Sequence, residues 1–183
     1  MRKALLILTA AVALAACTKQ ALQTTFDKQT GHIESFVSAQ MNKDATATLT
    51  RNGGAYRLTL HDTLDPTRDS LARGQRVSLY YGCFVLTSAS LTSSNLVATN
   101  LKALAEEARW TLTDESRFKL DTLTLDSSLV TGLADGLVGV QPEDEGYILF
   151  TGKYGYGKSE RGTIPALSAL AYYIKIEEIL PNE

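Results

Sequence analysis

Residues 129–179 read LVTGLADGLVGVQPEDEGYILFTGKYGYGKSERGTIPALSALAYYIKIEEI, and the rest of the chain is interpreted from this stretch. Residues 131–138 place apolar side chains three and four positions apart, which is typical of a short helix packed against a sheet. Gly139 and Pro142 follow, as expected where a helix ends and a loop begins. We therefore expect one short, buried helix here.

The remainder of the stretch consists of apolar runs separated by glycines. Residues 147–150 are a compact apolar run and predict a strand. Residues 171–179 alternate, so they predict a closing strand that has Tyr172, Ile174 and Ile176 on one face. Between these two strands, residues 152–162 contain four glycines and two tyrosines, and they predict a long mobile loop.

This order of parts resembles the C-terminal half of the FKBP-type peptidyl-prolyl cis-trans isomerases. The motifs that carry the resemblance are Leu129-Val130-Thr131-Gly132-Leu133, Tyr154-Gly155-Tyr156-Gly157, Ile164-Pro165-Ala166 and Ser168-Ala169-Leu170-Ala171-Tyr172. Each motif is weak alone, but together they follow the order of the family at nearly its spacing. The resemblance implies an α+β fold, in which a curved antiparallel sheet wraps the short helix.

The resemblance continues upstream. The family has a strand of the form G-x-x-V-x-V-x-Y-x-G whose tyrosine lies in the ligand pocket, and we match Tyr80 and Gly82 to that pattern. The next landmark of the family is F-D-S/T, and the nearest segment here has Val97 in place of the phenylalanine and Ala98 in place of the aspartate. Leu133 likewise stands where the family has a tryptophan at the pocket floor.

The chain divides into four parts. We expect a lipoprotein signal peptide at 1–16, a lipid-anchored tether at 17–26, an N-terminal helix and β-hairpin extension at 27–70, and an FKBP-like domain at 71–183. The helix follows from apolar spacing within residues 27–42, and the hairpin from Asn52-Gly53-Gly54 between two alternating segments.

A longer segment than minimal family members have occupies residues 101–117. Its apolar spacing predicts an inserted helix that covers either a sheet edge or the pocket rim. Trp110 is its only tryptophan, and the interpretation as a core or lid anchor is favoured over a catalytic role. After it, the alternation of Phe118, Leu120, Leu123 and Leu125 predicts a strand.

The N-terminus has the pattern of an exported protein. Arg2-Lys3 precede an uncharged segment, residues 4–16, which is too short for a transmembrane helix and suits a secretory signal. Leu14-Ala15-Ala16-Cys17 resembles a bacterial lipobox, which implies cleavage before Cys17 and lipid on that cysteine. The alternative is an ordinary signal peptide with a chance cysteine. We expect a lipid-anchored membrane lipoprotein of the bacterial cell envelope that faces the periplasm.

Composition excludes several other classes of protein. The net charge is −2 and there is no basic run beyond Arg2-Lys3, so we expect no nucleic-acid partner.

If Cys17 is acylated, Cys83 is left without a disulfide partner and is most simply a small buried residue. His32 and His61 are isolated, so we expect no metal site. Lys158-Ser159 ends a stretch that looks like a phosphate loop, but no helix can follow it before Gly162 and Pro165.

The resemblance also implies the site residues and their roles. Tyr156 and Tyr80 are the expected catalytic residues, because a tyrosine hydroxyl can hydrogen-bond the substrate carbonyl. The expected substrate-binding residues are Val97, Leu129, Val130, Leu133, Ile164 and Tyr172, with the Val130 amide as a second donor. Isomerisation needs no metal or cofactor, since an apolar pocket and a few fixed donors suffice to bind a twisted amide.

Two functions remain open from the sequence. One is a peptidyl-prolyl isomerase of weak or narrow activity that assists the folding of exported, proline-containing proteins. The alternative is a non-catalytic FKBP-like lipoprotein that binds a peptide or protein. The first function is favoured by Tyr80, Tyr156, Ile164-Pro165 and Tyr172, and the second by Val97, Ala98 and Leu133. A purely structural envelope lipoprotein is a more distant third.

Overall fold

The structure is a computed structural model that describes residues 2–60 and 67–181, without the side chains of residues 2–18. The helices are α1 (Arg2–Met41), α2 (Lys102–Glu107) and α3 (Thr131–Leu137), with 3₁₀ turns at Ser93–Asn95 and Glu115–Arg117. The strands are β1 (Thr48–Asn52), β2 (Ala55–Leu60), β3 (Arg76–Val85), β4 (Leu96–Thr99), β5 (Asp121–Thr124), β6 (Glu145–Phe150) and β7 (Leu170–Leu180).

All the strands belong to one antiparallel sheet in the order β1-β2-β6-β7-β3-β4, and β5 also pairs with β3. The long strand β3 pairs with β7 along one edge. Its other edge is divided: the segment from Arg76 to Leu79 pairs with β5, and the segment from Gly82 to Phe84 pairs with β4. The chain between β4 and β5 therefore leaves and rejoins the sheet beside the middle of β3.

The sheet separates two apolar clusters. On one face, α3 packs against β6, β2 and β1, and the cluster includes Leu137, Ile148 and Phe150. On the other face, Ile33, Phe36 and Val37 of α1 pack with residues that include Leu58, Leu149 and Ala171. Because successive strand residues point to opposite faces, strands buried on both sides are apolar at nearly every position, as Ile148-Leu149-Phe150 is.

The predicted architecture is confirmed. The structure is α+β, with an antiparallel sheet around a short helix at Thr131–Leu137, an N-terminal helix and a helix in the inserted segment. The predicted hairpin is present, with Asn52 paired to Ala55 across the Gly53-Gly54 turn. Gly53 has a φ of 58°, a left-handed conformation that glycine adopts without strain.

The inserted helix is much shorter than the predicted segment of residues 101–117. It ends because Arg109 has a φ of 56°, and the amides of Arg109 and Trp110 bond back to the carbonyls of Glu106 and Ala105 at 2.9 and 3.0 Å. This pair of bonds is the Schellman arrangement that closes a helix. The strand predicted around Leu120 is also shorter, since pairing begins at Asp121 and Leu120 is 40% exposed.

The predictions for the N-terminus remain predictions. Residues 2–18 are helical in backbone, but the Cys17 side chain lies outside the described side chains, and so does any contact it makes. His61 lies in the undescribed segment 61–66. In the part of the chain that the structure describes, no helix is both long and apolar enough to cross a membrane.

Candidate functional site

A cavity of about 300 Å³ lies between α3, the middle of β3 and the segment that follows β6. We call it the tyrosine cavity, because three tyrosines belong to its wall. Its lining consists of Leu79, Tyr81, Cys83, Ala98, Leu123, Ser128, Leu129, Val130, Leu133, Tyr156, Ile164 and Tyr172. None of these side chains is an acid, a base or a histidine. The site therefore offers apolar surface, hydroxyl groups and one thiol.

Most of the site residues expected from the sequence meet here. The structure brings together Leu129, Val130, Leu133, Tyr156, Ile164 and Tyr172, which come from four separate parts of the chain. Val130 is the residue that precedes the first turn of α3, so its amide lies outside the hydrogen-bond ladder of that helix. The roles assigned to these residues remain predictions, but their proximity is a structural fact.

The structure corrects the placement of Tyr80, which is absent from the cavity wall. Leu79, Tyr81 and Cys83 line the cavity, and strand residues alternate between faces, so Tyr80 points to the opposite side of the sheet. Tyr80 matches the spacing of the motif to Gly82, whereas Tyr81 matches its spacing from Gly74 and Val77, and a shift of one residue moves the side chain to the other face. Val77, Leu79 and Cys83 are apolar residues at alternate positions of β3. This alternation is the sequence signal that places Tyr81 on the cavity side of the sheet.

The structure also corrects the placement of Val97, which is absent from the cavity wall. The β3–β4 pairing matches Cys83 with Ala98 and Phe84 with Leu96, so Val97 occupies an irregularity in the register. Ala98 lines the cavity, whereas Val97 packs against the surrounding apolar cluster. A bulge of this kind changes the direction of side chains in a way that the sequence pattern does not show.

The glycine-rich loop is a series of closed turns rather than an open segment. The Gly157 amide bonds to the Gly152 carbonyl at 3.0 Å, and Arg161 and Ile164 form an isolated β-bridge. The Gly132 amide at the start of α3 donates to the Tyr154 carbonyl at 2.8 Å. The loop predicted to be mobile is thus held against the helix that forms one wall of the cavity.

The two tyrosines of this loop have different surroundings. Tyr156 lines the cavity, and the Arg161 guanidinium lies 5.8 Å from the centre of its ring. The Tyr154 ring instead packs so closely on Gly54 of the β1–β2 hairpin that a Cβ there would overlap it. The hydroxyl of Tyr156, and not that of Tyr154, is therefore available to a ligand in the cavity.

The hydroxyl and thiol groups on the β3–β7 side of the cavity are kept neutral. Burial raises the pKa of Tyr172, and the neighbouring Cys83 and Tyr156 act in the same direction. Burial also raises the pKa of Cys83 to about 12, although a side-chain hydrogen bond with Tyr172 opposes this shift. The pKa of Tyr81 is raised by burial and by the nearby Asp121. All three side chains are protonated donors at neutral pH.

The floor of the cavity is built by aromatic packing. The rings of Tyr172 and Phe150 stack with their centres 6.0 Å apart, and Tyr81 lies 6.3 Å from Tyr172. Phe150 is fully buried under α3, at a point where Gly132 leaves room for its ring. Rigid aromatic side chains hold the hydroxyl groups in fixed positions.

Sequence reasoning missed Gln29, a residue of α1 that holds the loop from the other face of the sheet. Its side-chain amide donates to the Leu167 carbonyl at 2.6 Å and accepts from the Gly152 amide at 2.9 Å. Since nothing in the local pattern marks this glutamine, only the tertiary structure identifies it. Sequence reasoning also missed five other members of the cavity wall: Leu79, Tyr81, Cys83, Leu123 and Ser128.

Comparison with solved structures identifies the fold. The chain is similar to the three FKBP domains of wheat FKBP73 (TM-score 0.54, 12% identity), of which it covers 51%, with 73% of this chain matched. It is also similar to the N-terminal domain of FKBP42 from Arabidopsis thaliana (TM-score 0.52, 11% identity, 73% of this chain and 93% of that chain). FkpA from Escherichia coli matches 97% of this chain and 73% of its own (TM-score 0.54, 14% identity).

These likenesses establish an FKBP-like fold. The chain spans about half the length of the wheat protein's structure. No protein-family model matches the sequence, and a search of curated proteins finds no match.

Proposed function

We propose that this protein is a peptidyl-prolyl cis-trans isomerase that acts on exported proteins at the bacterial cell envelope. The observation that carries the proposal is the tyrosine cavity, which lies on an FKBP-like fold and joins Tyr156, Tyr172 and the apolar residues around the start of α3. Its volume of about 300 Å³ accommodates a proline ring with adjoining backbone.

The chemistry requires little beyond this arrangement. Rotation about the bond before proline is slow because amide resonance imposes a barrier of about 18–20 kcal/mol. A site that binds the twisted amide more tightly than either planar form lowers that barrier. Leu133, Ile164 and Val130 supply apolar contact for the ring, and the Tyr156 hydroxyl donates a hydrogen bond to a substrate carbonyl. The Val130 amide serves as a second donor.

The position of the enzyme in the cell follows from the N-terminal segment. Cys17 carries lipid in this proposal, and the domain is held at the membrane facing the periplasm, where newly exported proline-containing proteins are the substrates. Each buried CH₂ of an acyl chain contributes about 0.8 kcal/mol to membrane binding, so several chains on one cysteine give stable attachment.

A second candidate is supported by the composition of the cavity wall. Leu133 is aliphatic, Ala98 is small, and the described residues that line the cavity include no carboxylate. A site with these residues binds a peptide through apolar contact and has fewer fixed dipoles to distinguish the twisted amide from the planar ones. This second function is a non-catalytic lipoprotein that binds proline-containing peptides.

A protease-free isomerisation assay with Xaa-Pro peptides separates the two functions. In the proposed enzyme, Tyr156→Phe lowers kcat/KM by about threefold to tenfold, because one neutral hydrogen bond is worth about 0.5–1.5 kcal/mol. Tyr154→Phe is the matched control. It removes the same atom from the same loop at a ring that packs on Gly54, and it leaves kcat/KM unchanged.

The outcomes are distinct. Acceleration by the wild type that decreases only in Tyr156→Phe supports the isomerase and assigns the reaction to this cavity. A folded wild type that binds the peptides without accelerating their isomerisation supports the binding function. Equal effects of the two substitutions would contradict the role assigned to Tyr156.

A further inference from the structure

A second depression, of about 210 Å³, adjoins the tyrosine cavity. We call it the cationic cleft, and its lining consists of Tyr81, Thr99, Asn100, Arg117, Lys119, Leu120 and Asp121. Tyr81 belongs to both linings, so the two sites adjoin each other at this residue. The cleft lies where the inserted segment leaves and rejoins the sheet beside the middle of β3.

The base of the cleft is fixed by a buried asparagine. Asn100 is 5% exposed, and its side chain accepts from the Tyr81 amide at 2.6 Å. The same side chain donates to the carbonyls of Leu79 and Lys119, both at 3.0 Å. Thr99 adds a bond from its hydroxyl to the Tyr81 carbonyl at 2.6 Å. Through these bonds Asn100 holds the backbone of Lys119 close to the backbone of Tyr81.

The two cations of the cleft lie near Asp121 and Asp114 but are not held in salt bridges with them. Among the residues that the structure describes, neither Arg117 nor Lys119 forms a salt bridge. The nearby Glu115 is bound by Lys102 at 2.9 Å instead. Among the described residues that line the cleft, Asp121 is the one acid, so the lining has a formal charge of one positive unit.

Arg117 is positioned by aromatic rings. Its guanidinium lies 5.6 Å from the centre of the Trp110 ring and 5.7 Å from that of Phe118. A guanidinium held over two aromatic faces loses less freedom when it binds an anion than a free one does. Asp114 is another acid close by: hydrogen bonds from Ser116 lower its pKa most, and Arg117 and Lys119 act in the same direction. It is bound to Ser116 through both the amide and the hydroxyl.

We propose that the cationic cleft selects substrates by binding the carboxylate of an aspartate or glutamate close to the proline that occupies the tyrosine cavity. This inference rests on the proposed function. A peptide with its proline in the cavity extends over Tyr81, and consecutive Cα atoms are 3.8 Å apart. Because the two linings share Tyr81, we expect the selected carboxylate on a residue within two positions of the proline. The exposed Leu120 supplies apolar contact for the stem of that side chain.

The test compares matched peptides on the full chain. The probe is acetyl-Ala-Ala-Leu-Pro-Ala-Ala-amide, in which glutamate or glutamine replaces each residue one or two positions before or after the proline. The affinity is measured by calorimetry and kcat/KM by the protease-free assay. At one position at least, we expect the glutamate peptide to bind about threefold to tenfold more tightly than its glutamine counterpart at low salt, with a smaller difference at high salt.

Charge-removing variants assign the effect to its residues. Arg117→Gln and Lys119→Gln each reduce the preference for glutamate while leaving the glutamine peptides unaffected. Lys43→Gln makes the same change of charge at an exposed position after α1 and keeps the preference. The variants do not alter Asn100, so the base of the cleft is preserved.

Each outcome gives a decision. Isomerisation of all the peptides with equal kcat/KM and affinity for glutamate and glutamine would overturn the selecting cleft and leave the isomerase intact. A preference that survives in both cleft variants would overturn the assignment to Arg117 and Lys119. Absence of binding by every peptide would remove the proposed function and the cleft together.

Discussion

At the scale of single residues, Cys83 and Tyr172 are direct partners in the pairing of β3 with β7. Their side chains meet in the wall of the tyrosine cavity and share a hydrogen bond, and both are kept neutral by burial. A thiol in this state is a poor nucleophile, because the thiolate is the reactive form. Cys83 therefore acts as a hydrogen-bonding part of the wall and not as a reactive group.

This environment predicts slow alkylation of Cys83. The raised pKa of about 12, against an ordinary value of 9.0, reduces the thiolate population at pH 8 about a thousandfold. In a Cys17→Ser variant, iodoacetamide should react with the folded protein at least about a thousandfold more slowly than with the urea-unfolded chain. The rate in the folded protein should still rise with pH above 9, where the thiol of the unfolded chain is mostly ionised.

The comparison of folded and unfolded chains is its own control, since the same thiol is measured in both. Similar rates at pH 8 would show that Cys83 is not held in the buried, protonated state described here.

At the scale of elements, the contact of α3 with β6 depends on small residues in the helix. Gly132 lies over the Phe150 ring and Gly136 over Ile148, and a Cβ at either glycine would overlap the side chain below it. Phe150 in turn stacks on Tyr172 at the floor of the cavity. The distance between helix and sheet is therefore coupled to the geometry of the site.

Gly132→Ala should destabilise the protein by about 1–3 kcal/mol, because overpacking against the buried Phe150 outweighs the gain in helix propensity. Gly31→Ala is the control within α1, where a new methyl group meets no atom within 4 Å. That substitution should stabilise the protein by about 0.5–1 kcal/mol. Urea unfolding measures both changes. Stabilisation by both substitutions would mean that α3 can move away from β6 at little cost.

At the scale of the whole molecule, α1 connects the predicted site of lipidation with the loop of the candidate site. The helix contains Cys17 in its backbone and packs on the sheet through Ile33, Phe36 and Val37. Between these points Gln29 binds the backbone at Gly152 and Leu167. The cavity therefore has a defined position relative to the N-terminal part of α1.

Cys17→Ser tests the predicted anchor. In a bacterial host the wild type should incorporate labelled palmitate and sediment with membranes, whereas the variant should incorporate none and move to the soluble fraction. Cys83→Ser is the matched control, because it removes the other cysteine and should keep both the label and the membrane association. Membrane association of Cys17→Ser at the wild-type level would contradict the lipoprotein interpretation.

The sequence by itself determined most of the elements and their order. Apolar spacing located α3 and part of α1, the Asn52-Gly53-Gly54 turn located the first hairpin, and alternation located β7. These features depend on local periodicity and turn chemistry, which act within a few residues of each other and are therefore visible in the sequence. The motif order was sufficient to indicate an FKBP-like fold at identities of only 11–14% to the structures it resembles.

Only the tertiary structure decided which side chains face the site. Tyr80 and Tyr81 each match part of the sequence motif, and the folded strand β3 places Tyr81 in the cavity wall. A bulge in β4 does the same for Ala98 over Val97. The cationic cleft joins Asn100 to residues that follow in the inserted segment through bonds that no local pattern encodes. The pairing of strands that are distant in the sequence sets the face of the sheet on which a side chain lies and the residues that lie near it. For that reason these features are decided only when the chain folds.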